Sequence, residues 1–282
     1  MASHNMEQLP YSEATLADRW RAALDPRGVG IAEAIAEDIA SYTHETVDVV
    51  IGRMATGAMD FKALWETSAI DVNNPRSVAE FYRDQLVEAY ELAQWHSGRT
   101  TGQFPLNYAR AATFAEEIGA KKILDFGSGI GSGSLALART GAEVHSADIA
   151  QHLLRLTGHR MARHGHMPHL IDLSDGETPL RDAYDLITCF DVLEHVPDQV
   201  AKVKELQSYL RRGGRLLANF VEDSTHPDRP MHISSAGNWI RLIRRTGLAP
   251  EWVAAGRIGL PVVARTPLGR FRNLAALVLH GE

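Results

Sequence analysis

The chain has 282 residues, of which 45% are hydrophobic and 23% charged, enough apolar material for one large core or two smaller ones. Its net charge of −6 has the wrong sign for a protein that neutralises nucleic-acid phosphates. A single cysteine, Cys189, excludes an intramolecular disulfide and a thiolate metal cluster and is typical of a reducing compartment. The polar residues 1–10 lack a signal-peptide core, and no apolar run approaches the roughly 20 residues of a membrane span. These features predict a cytoplasmic protein that binds neither nucleic acid nor membrane.

The first hundred residues have helical patterns only. Ile31, Ile35 and Ile39 recur at intervals of four with acidic residues opposite, which predicts an amphipathic helix over 31–40. Residues 77–90 show the same period after Pro75 and predict another helix. We therefore expect residues 1–105 to form a helical cap that selects the substrate.

From residue 121 the pattern changes to short β-rich runs separated by helical stretches. The runs cover 122–126, 143–148, 169–171, 184–190 and 215–221. This alternation predicts βαβ units and a doubly wound parallel sheet of the α/β class, within a domain spanning residues 106–282. Two further β-like runs, 251–255 and 273–279, predict a hairpin at the sheet edge.

A glycine-rich loop follows the first of these strands. The strand ends in Asp125 and leads into Gly127, Ser128, Gly129 and Gly131, which let the backbone turn sharply against a ligand. The spacing is G-x-G-x-G and not the G-x-G-x-x-G of a dinucleotide site. A carboxylate at this position suits an amino-acid ammonium better than a pyrophosphate, which argues against NAD.

Two more acidic residues follow neighbouring strands. Asp148 ends the second strand, where a carboxylate can accept hydrogen bonds from both ribose hydroxyls of a ligand such as S-adenosylmethionine or NAD. Asp172 follows the third strand and either binds the exocyclic amine of adenine or caps the next turn.

Residues 120–248 resemble the class I S-adenosylmethionine-dependent methyltransferases, in particular the small-molecule group related to ubiquinone biosynthesis. The family's motifs occur in order at 125–131, Asp148, 171–173, 184–198 and 210–216. Arg212 replaces the proline that many members have before the glycine pair Gly213-Gly214, a departure at a turn away from the site.

The resemblance implies a Rossmann-like sheet of seven mostly parallel strands, the last one antiparallel, and S-adenosyl-L-methionine as cofactor. The residues that it places at the cofactor are Asp125, Gly127, Ser128, Gly129, Gly131, Asp148, Ile149, Asp172, Leu173 and Phe190. The aromatic-rich segment 95–108 is either a linker or a hinge that closes on the cofactor, with Tyr108 or Gln103 reaching the methionine moiety.

Methyl transfer from a sulfonium needs close, collinear reactants, and a base only where the acceptor must lose a proton. Asp191, Glu194 and His195 follow the fourth strand and would share one face of a helix that starts near 191. Three hypotheses stay open: local capping and ion pairing, His195 as general base, or a Mg-like divalent ion bound together with His226 or His232. We expect His195, His232 and Asp191 to act in catalysis.

Together these features predict transfer of a methyl group to O, N or C of a small natural-product or quinone-like acceptor. One alternative is an inactive cofactor-binding module with a structural or regulatory role. Another is an NAD-dependent reductase, which the glycine spacing and Asp125 disfavour. Whether the chain forms a homodimer stays open.

Overall fold

The computed structural model describes residues 11–83, 85–100, 102–219, 229–233, 246, 249–252 and 262–264. Its internal contacts divide the chain into two compact units, residues 13–179 and residues 180–282 with 1–12. The predicted division into a cap over 1–105 and a sheet domain over 106–282 stays a prediction.

The first unit begins with helices, as the sequence predicts for this region. They are α1 (Glu13–Leu24), α2 (Ile31–Thr43), α3 (Val47–Thr67), α4 (Pro75–Arg83), α5 (Val87–His96) and α6 (Asn107–Glu117). The prediction of one continuous helix over 77–90 is wrong, because α4 ends at Arg83 and α5 starts at Val87. Helix α5 packs closely on α3, where a Cβ on Gly57 would lie 2.6 Å from the backbone nitrogen of Glu91.

Three parallel strands follow in the same unit: β1 (Lys122–Phe126), β2 (Glu143–Asp148) and β3 (His169–Asp172). Helix α7 (Ser132–Ala138) joins β1 to β2, and α8 (Gln151–Arg163) joins β2 to β3. The predicted strand positions are confirmed, and β2 lies between its two neighbours. The register pairs Asp148 with Asp172, so both acidic residues lie at the carboxyl ends of their strands.

The second unit contains β4 (Tyr184–Cys189), α9 (Gln199–Tyr209) and β5 (Leu210–Ala218), with β4 and β5 parallel. Strand β5 begins five residues before the predicted start at 215, because Leu210 also pairs with Tyr184, across an irregularity in the register between Tyr184 and Leu186. Two short strands, β6 (Ala249–Trp252) and β7 (Val262–Ala264), pair antiparallel, and β7 also pairs antiparallel with β5.

The C-terminal prediction agrees with the structure only in part. Strand β6 overlaps the predicted run 251–255, whereas β7 was not predicted, since three residues are too short for a periodic signal. The predicted run 273–279 lies outside the described residues.

Five parallel strands alternating with helices confirm the α/β class with Rossmann-like connections. Apolar side chains of β1 and β4, such as Ile123, Leu124, Leu186 and Ile187, are fully buried, as expected for strands covered on both faces. Among the helices of the described residues, none combines the length and hydropathy that a membrane span requires.

Candidate functional site

The glycine loop after β1 is shaped by close packing on both sides. Gly129 and Gly131 have φ angles of +52° and +75°, a left-handed conformation that side chains rarely adopt. A Cβ on Gly129 would lie 2.9 Å from Leu92 of α5, and one on Gly131 would lie 2.7 Å from Thr157 of α8. The left-handed backbone at both positions, together with the crowding by Thr157 at Gly131, therefore favours glycine.

Asp148 is hydrogen-bonded directly to this loop. Its Oδ2 accepts the backbone N–H of Gly129 at 2.8 Å, and its Oδ1 accepts that of Ala150 at 2.8 Å. Burial, with a smaller effect from the charge of Asp125, raises the pKa of Asp148 to about 6, although the backbone donors counteract the shift. Backbone donors of Gly129, Ile149 and Ala150 act on a carboxylate with about four lone-pair sites, so at least one site is left for a ligand hydroxyl. Asp148 ends β2, as predicted, and its contact with a ribose stays a prediction.

Several buried polar atoms have no hydrogen-bond partner within the described structure, and two of them are oxygens that bear on the loop. They are Oγ of Ser128, in the loop itself, and Oε2 of Glu88 on α5. Glu88 lies one turn before Leu92, which contacts Gly129, and burial together with the charge of Asp148 raises the pKa of Glu88 well above its usual value. Because buried polar atoms are rarely left unpaired, both suit a polar ligand bound against the loop.

Glu88 was missed in the sequence, where an acidic residue in an amphipathic segment resembles any solvent-facing one. A glycine or proline before residue 87 would have indicated that a separate helix starts there. The sequence has no such strong helix breaker at this point.

Asp125 and Tyr108 lie in packed surroundings. Oδ2 of Asp125 accepts a hydrogen bond from Oγ of Ser134 at 2.7 Å, and the residue is buried. The Tyr108 ring stacks on Trp20 with centroids 5.6 Å apart and lies over Gly133, where a Cβ would collide with it. Direct contacts of Asp125 and Tyr108 with a cofactor stay predictions.

Asp172 caps a short 3-10 turn at 173–175. Its Oδ1 accepts hydrogen bonds from the N–H and Oγ of Ser174 at 2.9 and 2.6 Å, and its Oδ2 accepts one from Gln151 at 2.8 Å. This is the capping alternative for Asp172, and binding of an adenine amine stays a prediction. Ile149 and Leu173 follow β2 and β3 directly and are half-buried.

In the second unit, Asp191 follows the buried Phe190 at the end of β4 and forms a reciprocal pair with Asn219 at the end of β5. The Asp191 N–H donates to Oδ1 of Asn219 at 2.7 Å, and Nδ2 of Asn219 donates to Oδ1 of Asp191 at 2.5 Å. The hypothesis of a helix starting near 191 is wrong: Asp191 has a φ of +55° and precedes a 3-10 turn that covers only 193–195. Hydrogen bonding to Asn219 holds Asp191 outside that turn.

Asn219 was also missed in the sequence. It lay inside the predicted strand 215–221, where a polar residue among apolar ones gives no indication of a partner 28 positions away.

Glu194, His195 and His232 come together. One ligand atom from each lies within 4.8 Å of the other two, and the two imidazole rings are perpendicular with centroids 5.1 Å apart. Asp191 is not part of this group, and His226 lies outside the described residues. Of the four predicted metal ligands, the structure therefore brings three together.

The protonation of this cluster follows from its contacts. Nδ1 of His195 is 3.0 Å from the carbonyl oxygen of Met231, which can only accept, so Nδ1 carries the proton and Nε2 keeps its lone pair. Burial, reinforced by His232, lowers the pKa of His195 to about 3, so the ring is neutral near pH 7. Burial and the charge of Asp191 raise the pKa of Glu194 to about 8. A neutral imidazole is the form that binds metals.

The first unit thus has the architecture of a nucleotide-type cofactor site: a glycine loop between β1 and α7 and an acidic residue at the end of β2. A family model described as a methyltransferase domain matches residues 99–256, more than half of the chain. The chain belongs to this methyltransferase-domain family, which confirms the resemblance seen in the sequence.

Two curated proteins and one solved structure illustrate what parts of the chain are similar to. Ubiquinone biosynthesis O-methyltransferases of Coxiella burnetii and Xanthomonas campestris are each 30% identical to the chain, over 146 and 151 residues. These matches cover 49% and 51% of this chain but only 62% and 63% of the relatives, so the chain spans less than two thirds of their length. The crystal structure of a SAM-dependent methyltransferase from Aquifex aeolicus aligns with 15% identity and a TM-score of 0.45, over 54% of this chain and 86% of that one.

Proposed function

We propose that the protein is an S-adenosylmethionine-dependent methyltransferase acting on a small-molecule acceptor. The observation that carries the proposal is the hydrogen bond from Gly129 to Asp148, which joins the glycine loop to an acidic residue inside a methyltransferase-family domain. No observation favours the inactive-module alternative.

The first unit supplies the cofactor side. The carboxylate of Asp148 accepts hydrogen bonds from the ribose hydroxyls, and Ser128 and Glu88 offer buried polar atoms beside it. Asp125 provides negative charge toward the amino-acid end. S-adenosylmethionine supplies an electrophilic methyl group when bound, so these residues act by holding and orienting, which can account for most of the rate of such a displacement.

The second unit supplies the acceptor side. We infer that Glu194, His195 and His232 hold a divalent ion, because a carboxylate and two imidazoles lie within reach of a common centre. The hydrogen bond from Nδ1 of His195 to Met231 places the lone pair of this ring on Nε2, the nitrogen that would bind the ion. Such an ion would act as a Lewis acid that favours the ionised form of an acceptor hydroxyl. Asp191, fixed by Asn219, adds a carboxylate next to this group. His195 as a general base is the competing hypothesis.

The relatives favour oxygen as the methylated atom, and a metal favours acceptors with neighbouring oxygens, such as catechol-like or hydroquinone-like rings. The proposal includes a cap formed by residues 1–105, which is supported by the helices described up to Glu117. It also includes a seven-stranded sheet within 106–282, which is supported by the antiparallel pairing of β6 and β7. A cytoplasmic location stays a prediction.

Calorimetric titration with S-adenosylhomocysteine tests the proposal, with NADH as the control ligand and EDTA-treated protein in parallel. We expect one-to-one binding of S-adenosylhomocysteine in the micromolar range and no binding of NADH. Binding of NADH alone would show that the glycine loop serves a dinucleotide. Binding of neither ligand would argue against a working cofactor site. A catechol should then be methylated faster than the matching monophenol.

A further inference from the structure

A second group of metal-ligand side chains lies at the amino ends of β2 and β3. One ligand atom from each of Glu143, His145 and His169 lies within 4.8 Å of the other two. The two imidazole rings are stacked, with centroids 5.1 Å apart and an angle of 25° between their planes. This end of the strands is opposite to the carboxyl ends that carry Asp148 and Asp172.

The backbone of the sheet brings these three side chains together. His145 and His169 are direct partners in the parallel register, so their side chains leave the sheet on the same face. Glu143 is two residues before His145 and lies on that face as well, because side chains alternate along a strand. Since regular pairing fixes all three Cα positions, a metal ion would require only side-chain adjustments.

We propose that Glu143, His145 and His169 form a binding site for a divalent transition-metal ion, of which Zn²⁺ fits best. Two imidazole nitrogens and one carboxylate oxygen are a known zinc donor set, whereas Mg²⁺ prefers oxygen ligands only. Glu143 and His169 are exposed, so solvent can complete the coordination. Zn–N distances are about 2.0–2.1 Å, which the exposed side chains can reach by small rotations.

The contacts of Glu143 show what a metal would replace. Oε1 of Glu143 lies 2.7 Å from Nε2 of His145 and also 2.7 Å from Nζ of Lys122. The carboxylate therefore already holds a cationic group at the position where the proposed ion would bind. Lys122 competes with the ion for Glu143, and its removal should strengthen metal binding, whereas a cluster that is only an ion pair would gain no affinity for metal.

The site does not depend on the methyltransferase proposal. It links β2 to β3, the two strands whose far ends carry Asp148 and Asp172. Binding of an ion to the folded chain alone stabilises the fold by mass action. Zinc should therefore raise the melting temperature in a concentration-dependent way.

Equilibrium dialysis of the full chain against Zn²⁺, followed by metal analysis, tests the site. The key variant is His169→Gln, an exposed change that leaves the core intact, and His152→Gln on α8 is the matched control. We expect His169→Gln to bind one zinc fewer than the wild type, or to bind that ion at least about ten-fold more weakly, and His152→Gln to match the wild type. The difference in zinc content between His169→Gln and the wild type reports this site alone, because the variant leaves Glu194, His195 and His232 unchanged. Equal zinc content in His169→Gln and wild type would overturn the proposal.

Lys122→Gln provides the second arm. We expect its zinc affinity to rise several-fold, with a larger zinc-dependent increase in melting temperature than in the wild type. An unchanged or weaker affinity would mean that Glu143 is not a ligand, and would overturn the three-residue site.

Discussion

Asp38 and Arg160 form a buried ion pair, with Nε of Arg160 3.1 Å from Oδ2 of Asp38 and side-chain exposures of 0% and 4% for arginine and aspartate. The same guanidinium donates to the carbonyl oxygen of Ile130 at 2.5 Å and to Oγ of Ser132 at 3.0 Å. Burial alone would raise the pKa of Asp38, but hydrogen bonding to His164 and the charge of Arg160 outweigh it and hold this pKa well below its usual value. The pair thus connects α2, through α8, to the glycine loop.

Replacing Asp38 by asparagine should therefore be strongly destabilising. Arg160 would remain buried without its counter-charge, and loss of one partner of a buried pair costs about 3–5 kcal/mol in the free energy of unfolding. Urea denaturation measures this cost. Asp18→Asn is the control, because its pair with Arg21 is largely exposed and should contribute at most about 1 kcal/mol. Equal stability losses in the two variants would contradict the role of the buried pair.

The sequence is informative where the structure depends on neighbouring residues. The strand-to-glycine pattern predicts β1 and the glycine loop, and the end of the next β-rich run predicts β2 and Asp148. All four features lie where they were predicted. The turn at Asp191 depends on a hydrogen bond from Asn219, which no local pattern reveals, so the predicted helix there is wrong.

Long-range pairing explains most of what the sequence does not show. Asp38 and Arg160 are 122 residues apart and become partners only through the packing of α2 on α8. Glu88 has a buried carboxylate oxygen on α5, the helix whose Leu92 packs against Gly129 of the glycine loop. In the sequence, both acidic residues look like ordinary members of a polar helix face.

The affinity for S-adenosylhomocysteine should depend on the protonation of Asp148. Ribose hydroxyls that donate to the carboxylate favour its ionised form, so ligand binding lowers a pKa that is about 6 in the free protein. Affinity is then full above pH 6 and declines as the pH falls below it. Calorimetric titrations between pH 5 and 8 measure this dependence.

Variants of Asp148 separate its contribution to ligand affinity from the effect of low pH on other groups. Asp148→Ala should weaken binding by about 2 kcal/mol, through loss of two hydrogen bonds. Asp148→Asn should bind more weakly than the wild type at pH 8 and show a flat profile through pH 6. A wild-type profile in the asparagine variant would assign the titration to another group.

His195→Ala and His232→Ala should reduce methyl transfer without changing cofactor affinity, since both residues lie in the cluster that we propose serves the acceptor. We expect turnover to fall by about a hundred-fold or more and the S-adenosylhomocysteine dissociation constant to stay within about two-fold. EDTA should produce the same loss in the wild type, reversed by adding a divalent ion. His152→Ala controls for loss of a histidine elsewhere. Loss of turnover in His195→Ala together with full resistance to EDTA would support the general-base hypothesis instead.

Asn219→Asp should destabilise the fold in a pH-dependent way. The change removes the amide donor to Asp191 and places a second carboxylate 2.5 Å from the first. Two such carboxylates cannot both ionise without strong repulsion, so the pair holds one shared proton at pH 5 and becomes unfavourable when that proton is lost at pH 8. We expect the loss in free energy of unfolding to be about 1–3 kcal/mol larger at pH 8 than at pH 5, measured by urea denaturation.

Asn74→Asp, on the exposed turn before α4, should change stability by less than about 0.5 kcal/mol at either pH, because aspartate serves equally well at a helix start. A pH-independent loss in Asn219→Asp would mean that the two side chains do not pair in solution.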